Sequence, residues 1–329
     1  MTNPRRMLPV LALSALVLAG CATGTDAASP DDGTLQVVAS TNVYGQIAEE
    51  IGGDLIDVAA IVNSAAQDPH SFEATAQDQL TVSRADLIIE NGGGYDGFID
   101  SLIEATGTEA PVITAVEFSH DWPENSGHEE SAAPEDSAAP EEDDHDHDHD
   151  HAHVEGFNEH VWYDPHTIEH VAEAIAEELS ALLPADAATF QDNAATFVAG
   201  IADLEAGLSD IDAAHAGDGV FVTEPVPIYL TAAAGLENLT PEAFSEAVEE
   251  GQDVPPATLL EALDLVKDGS VRVVIVNSQT GGAETTQISD EAEGLGIPVI
   301  AFSETLPEGQ TYLSWMQENI AALAGALAE

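Results

Sequence analysis

Five histidines alternate mostly with aspartates at His145, His147, His149, His151 and His153, and three more, His160, His166 and His170, follow shortly after. Imidazole and carboxylate are the side chains that suit a divalent ion of the zinc or manganese kind, so both groups are candidates for holding metal. Their surroundings differ. The first group lies in a low-complexity insert at residues 123–155, rich in Ala, Pro, Glu, Ser, Asp and His. It lacks the apolar residues needed to offset the entropy of ordering and reads as a disordered segment that collects or buffers metal. The second group opens with Asn158-Glu159-His160-Val161-Trp162-Tyr163-Asp164-Pro165, where aromatic and apolar residues demand packing around one histidine. The reading is a loose collector of metal beside a structured site. His166 and His170 share a helix face at i, i+4. Their sequence, HTIEH, lacks the glutamate directly after the first histidine that a zincin requires, so both are taken as exposed helix residues. His120, His128 and His215 are read as surface residues.

The elements that must position a structured site follow an alternating pattern. A β-type run at 35–40, an amphipathic helix through Ile47 and Ile51 closed by Gly52-Gly53, and a second run at 57–62 read as a parallel βαβ unit. A loop carrying His70, a helix at 76–83, a strand at 86–90, a helix at 95–105 and a strand at 111–116 continue it. Asn91-Gly92-Gly93-Gly94 is followed by neither GK[ST] nor GxGxxG, so it is a strand-to-helix turn and not a phosphate loop. A helical region starts at Pro165 and breaks at Pro184. Beyond it Phe190, Phe197, Ile201, Leu204, Leu208 and Ile211 mark one face of a helix over 185–214, roughly 45 Å long. Strands at 219–222, 271–276 and 298–302 then alternate with helices at 228–234, 259–267, 284–294 and 312–327, and residues 238–257 read as a polar connection. The fold class is α/β: two (β/α) lobes with mostly parallel sheets joined by a long rigid α-helix. The lobes are placed at 35–165 and 216–329, with the connecting helical region at 166–215. In open α/β sheets ligands bind beyond the carboxyl ends of strands. His70, Glu224 and Glu304 each follow such an end, and His160 precedes the connecting region.

The first 20 residues read as a signal peptide: Arg5 and Arg6, then an apolar stretch at 8–19 too short to span a membrane. Leu18-Ala19-Gly20-Cys21 resembles a bacterial lipobox, which makes Cys21 the lipidated residue and 21–34 a tether. Cys21 is the only cysteine, which excludes an intramolecular disulfide and a thiolate metal cage. After the signal, Arg84, Lys267 and Arg272 are the only strong cations against 62 acidic residues, so nucleic acid and anionic lipid would repel the chain. Hydrophobic content of 44% still supports folded lobes.

Six segments together resemble the metal-specific solute-binding proteins of ABC importers, the zinc and manganese receptors of cluster A-I. They are DPHSFE at 68–73, ADLIIENGGG at 85–94, NEHVWYDP at 158–165, VTEPVPIYLTAAAGL at 222–236, NSQTGG at 277–282 and FSETLPEG at 302–309. The resemblance implies that His70, His160, Glu224 and Glu304 are the metal ligands, and that the chain is a receptor with no reaction of its own. It further implies a lipoprotein on the outer face of the cytoplasmic membrane. There it captures Zn²⁺ and delivers it to a membrane permease served by a cytoplasmic ATPase. Many zinc receptors of this kind have a third histidine where Glu224 stands, whereas two histidines with two carboxylates is also the manganese set. The His/Asp insert is similar to the loops of the zinc receptors. Zn²⁺ is therefore taken first, with Mn²⁺ or a surface metal-buffering adhesin as alternatives. A metal-dependent hydrolase would need an open coordination position beside a general base, and neither HExxH nor GxSxG is present.

Overall fold

The computed structural model describes residues 34–123, 125, 154 and 156–328. The signal peptide with Cys21, nearly all of the tether, and His145, His147, His149, His151 and His153 lie outside the described residues.

Strands β1 (Leu35–Thr41), β2 (Ile56–Val62), β3 (Leu87–Glu90) and β4 (Val112–Thr114) form one sheet in the order β2-β1-β3-β4, with every pair parallel. Strands β5 (Gly219–Val222), β6 (Glu237–Asn238), β7 (Val271–Asn277) and β8 (Val299–Phe302) repeat that plan as β6-β5-β7-β8, again all parallel. The chain alternates strand with helix, and a parallel pair needs such a crossover. Every residue of β3 and of β5 is buried, as strands covered on both faces must be. In each lobe the first strand sits inside the sheet with its successors on either side. The winding reverses there and opens a crevice at the strands' carboxyl ends.

The helices are α1 (Asn42–Gly52), α2 (Ala76–Val82), α3 (Phe98–Thr106), α4 (Pro165–Leu182), α5 (Ala187–His215), α6 (Ile228–Ala233), α7 (Glu242–Glu249), α8 (Pro256–Asp268), α9 (Ala283–Leu295) and α10 (Tyr312–Leu327). Pro165 occupies the first turn of α4, where its missing N–H costs nothing, and the Asp164 side chain caps the helix by accepting from His166 N at 3.2 Å. With 29 residues, α5 is roughly 44 Å long. Its buried stripe is Phe190, Ala194, Phe197, Ile201, Leu204, Leu208 and Ile211. Gly200 lets α10 approach this helix closely: a Cβ there would fall 2.5 Å from Leu313 Cδ1.

The lobes share a hydrophobic core. It runs from Val37 and Ile47 through Ile175 on α4 and Ile201 on α5 to Val222, Ile275 and Trp315. Tyr163 ties the two halves, stacking on Phe302 at 6.0 Å and meeting Trp315 edge-on at 5.5 Å. Its hydroxyl donates to Ser303 O at 2.7 Å, and Tyr312 OH returns a bond to Trp162 O at 2.8 Å.

Four details depart from the sequence reading, the first being β6, an unexpected edge strand paired with β5. Residues 238–257 are not merely a connection, because α7 forms within them, burying Phe244 against Phe221 with ring centroids 5.2 Å apart. The strand expected over 111–116 stops at Thr114, where a 3-10 turn, Ala115–Phe118, leads away from the sheet. The helix expected from residue 95 begins at Phe98, because Asp96 instead accepts from the N–H groups of Asn91 and Gly92 to close the glycine turn. Gly92 and Gly93 there have φ of +79° and +66°, conformations that favour glycine.

Candidate metal centre

His70 stands on a 3-10 turn, Pro69–Ser71, beyond β2. Asp68 holds that turn by accepting from His70 N at 3.0 Å and from Ser71 Oγ at 2.7 Å. The imidazole lies edge-on to Tyr95, ring centroids 4.8 Å apart, and 5.9 Å from the ring of His160. His160 is fully buried, packed against Trp162 at 5.0 Å. Its segment is docked on the first lobe by Asn91, whose side-chain amide donates to Glu159 O at 2.9 Å.

The tautomer of His160 follows from its partner. Asn158 Oδ1 lies 2.8 Å from His160 Nδ1 and also accepts from His160 N, while Asn158 Nδ2 donates to Pro225 O at 3.1 Å. Those contacts fix the amide's orientation, so Nδ1 carries the proton and Nε2 keeps its lone pair for a ligand, the usual arrangement around a metal-binding imidazole.

The two carboxylates come from the second lobe and are 3% exposed each. Glu224 follows β5 and Glu304 follows β8. Asn277, the last residue of β7, donates through Nδ2 to both, at 2.8 Å to Glu224 Oε2, and Thr280 Oγ1 donates to Glu224 Oε1. Gln279 Oε1 fixes the backbone around Glu304, accepting from Glu304 N and Thr305 N at 2.8 Å each. The segment NSQTGG thus acts as a holder for both acids. Burial, ahead of the neighbouring Glu224 charge, pushes the Glu304 carboxyl up to about 7. Burial likewise raises Glu224, against the hydrogen bonds from Thr280 and Asn277 that lower it. Two buried acids this close favour a shared cation or a shared proton.

Of the four residues expected from sequence, His70, His160 and Glu304 bring one donor atom each within 4.8 Å of one another. Glu224 is not among the donors gathered there; it is tied to Glu304 through the shared Asn277 amide. Two imidazoles from one lobe therefore meet one carboxylate from the other, with Glu224 held beside it. Sequence reasoning missed Glu249, the last residue of α7, whose Oε1 lies 3.7 Å from His160 Nε2. Burial, then the charges of Glu159, Glu224 and Glu304, push its carboxyl up to about 9. The spacing of Phe244 and Val248, one helical turn apart, could have revealed helix α7 but not which of its glutamates turns inward. His166 and His170 lie on α4 with ring centroids 4.8 Å apart, and His166, Glu169 and Glu205 cluster at the surface. The His120 side chain is 61% exposed, whereas His215 is half-buried and meets Asp218 at 3.0 Å. His128 lies outside the described residues.

Among the described residues no helix is long and apolar enough to cross a membrane. Residues 37–326 match the family model described as zinc-uptake complex component A, periplasmic. The chain is 24% identical over 326 residues to the manganese-binding lipoprotein MntA of Halalkalibacterium halodurans, covering 97% of each protein. It is 26% identical over 341 residues to the manganese ABC transporter substrate-binding lipoprotein PsaA of Streptococcus pneumoniae, covering 98% of each. In fold it is similar to the periplasmic zinc binding protein TroA from Treponema pallidum (TM-score 0.69, 18% identity, 90% of this chain and 100% of that one). The crystal structure of ZnuA is comparably similar (TM-score 0.66, 19% identity, 89% and 99%). With the family model spanning both lobes, this chain belongs to the ZnuA family, the cluster A-I metal-binding solute-binding proteins of ABC transporters.

Proposed function

We propose that the protein captures one divalent transition-metal ion between its lobes, on His70, His160, Glu224 and Glu304, and passes it to an ABC permease. The observation that carries this reading is the convergence of two imidazoles and a buried carboxylate within 4.8 Å, from loops at the ends of different strands and segments. Four protein donors fill a tetrahedral shell and leave no open position for bound water to react, which suits a carrier better than a hydrolase.

Manganese is the favoured cargo. Half the donor set is carboxylate oxygen, further acids surround it, and harder Mn²⁺ tolerates such a set better than softer ions do. The relatives MntA and PsaA carry manganese in their names. Zinc is the second reading, favoured by the His/Asp run at 145–153. Attachment through lipid at Cys21, on the outer face of the cytoplasmic membrane, agrees with the lipobox-like LAGC and with lipoprotein relatives.

The test is competitive titration of the full mature chain with Mn²⁺ and Zn²⁺, followed by tryptophan emission. Trp162 lies against His160 and so responds to the buried site, and a Trp122→Phe background removes the tryptophan beside the His/Asp insert in sequence. His70→Ala and His160→Ala are each expected to weaken binding by more than about 100-fold, beyond the usual effect of an outer-shell change. Unchanged tight binding in both variants would overturn the site. A Zn²⁺ preference larger than the ordinary solution-series advantage of zinc over manganese would select the zinc reading.

A further inference from the structure

Beside the buried site lies a cleft of about 790 Å³ whose wall is strongly acidic, with Asp68, Glu159, Glu246, Glu249, Glu250 and Asp253 on it and His70 at its inner end. Among the described residues, no lysine or arginine lines it. Within the cleft, one donor atom each from His70, Glu159 and Glu249 lies within 4.8 Å of the others. That is a second ligand triad, and His70 belongs to both triads. We propose that His70, Glu159 and Glu249 form an outer metal position, which receives an incoming divalent ion and hands it, through the shared His70, to the inner set. The proposal rests on the reading of His70, His160, Glu224 and Glu304 as the capture site.

Three observations carry it beyond a crowd of acids. First, the triad includes an imidazole, so its chemistry is that of borderline transition metals and not of a bare carboxylate patch. Second, Glu249 Oε1 is shielded from solvent and accepts no hydrogen bond, although a carboxylate taken from water needs a donor or a cation. It also closes α7, whose carboxyl end favours positive charge. Third, Glu249 reaches both sets: it belongs to the outer triad and lies 3.7 Å from His160 Nε2 of the inner one. An ion moving inward therefore exchanges Glu159 and Glu249 for His160, Glu304 and Glu224 without ever leaving His70. Each ligand released is replaced by another within one coordination sphere, so the ion is never stripped to one bond in a low-dielectric pocket.

An outer position on the route lowers the barrier in both directions and leaves the end states alone. Stopped-flow Trp emission of the full mature chain mixed with Zn²⁺ or Mn²⁺ reads it directly. Glu249→Ala and Glu159→Ala are expected to slow both association and dissociation about tenfold while the equilibrium constant stays within about threefold. Glu250→Ala removes a carboxyl group from the same cleft without touching the triad and controls for steering; it is expected to slow association less than about threefold and to lose that effect at high salt. Equal slowing in Glu250→Ala and Glu249→Ala would overturn the outer position in favour of a diffuse acidic funnel. Wild-type rates in Glu249→Ala would overturn it outright. Lost affinity with an unchanged association rate would also overturn it, by making Glu249 an inner ligand. His160→Ala separates this from the capture reading, because failure of the inner site appears as unaltered tight binding there, whatever Glu249 does.

Discussion

Asn158 Oδ1 lies 2.8 Å from His160 Nδ1 and thereby decides which imidazole nitrogen faces the site. Removing that acceptor frees the ring to rotate and to change tautomer. Asn158→Ala is expected to weaken metal binding about 10–100-fold, while Asn158→Asp, which keeps an acceptor, retains most of the affinity. Competition titration by Trp emission checks both. Equal losses in the two variants would mean that the side chain acts only by packing.

Glu224 is the position where the proposed donor set departs from the three-histidine pattern of zinc receptors. Glu224→His exchanges a hard oxygen for a borderline nitrogen, so the Zn²⁺-to-Mn²⁺ affinity ratio is expected to rise about tenfold or more. Parallel titrations with the two ions measure the ratio directly.

Asn277 donates to both acids and so offsets part of the cost of burying them. In Asn277→Ala those acids lose their shared donor, at a cost of about 2–3 kcal/mol. The loss is expected to be larger in the metal-free protein than in the loaded one, where the ion takes over the neutralisation. Chemical denaturation with and without saturating Mn²⁺ gives the two values.

Glu304 titrates at about 7 in the folded chain, well above an unfolded glutamate. Between those two values the folded state binds more protons than the unfolded state, so the stability of the metal-free protein falls as pH rises from about 4.5 through about 7. The same proton must leave for metal to bind, so affinity rises over that range and capture releases protons. Melting temperatures of the metal-free protein are expected to drop between pH 5 and pH 8, and metal is expected to raise them most at the higher pH. A melting temperature that rises with pH in the metal-free protein would contradict this account.

The repeated strand-helix order was legible because every strand but β6 is a short apolar run bounded by glycine or polar turns, whereas the exposed pair Glu237–Asn238 carries no such pattern. The buried stripe of α5 could be read from the spacing of Phe190 through Ile211. His70 and His160 stood out because each sits in a segment whose neighbours, Pro69 and Phe72 or Val161 and Trp162, signal a packed and specific loop. Glu224 and Glu304 were accessible through their place after strand ends and through the resemblance of 222–236 and 302–309 to the metal receptors. The part played by Asn277 and Gln279 was not legible at all, since what matters is which carboxylate each amide meets across two strands. Glu249 was hidden twice. Proline at 241 and at 255–256 made its segment look like a loop, and nothing local distinguishes one glutamate among 62 acidic residues. Its significance is tertiary: α7 brings it back over a loop some 90 positions earlier in the chain.

The core that passes unbroken from Val37 to Trp315 makes the lobes one cooperative unit. Neither sheet can melt without exposing the faces of α5 and α10 that the other needs. Heat or denaturant should therefore produce a single transition followed equally by every probe, instead of the two steps that separately folding lobes would show. Backbone amides in the middle of α5 should exchange with solvent only through that global event, while the turn bearing His70 and the short helix α7 that ends in Glu249 exchange through local openings of much smaller free energy.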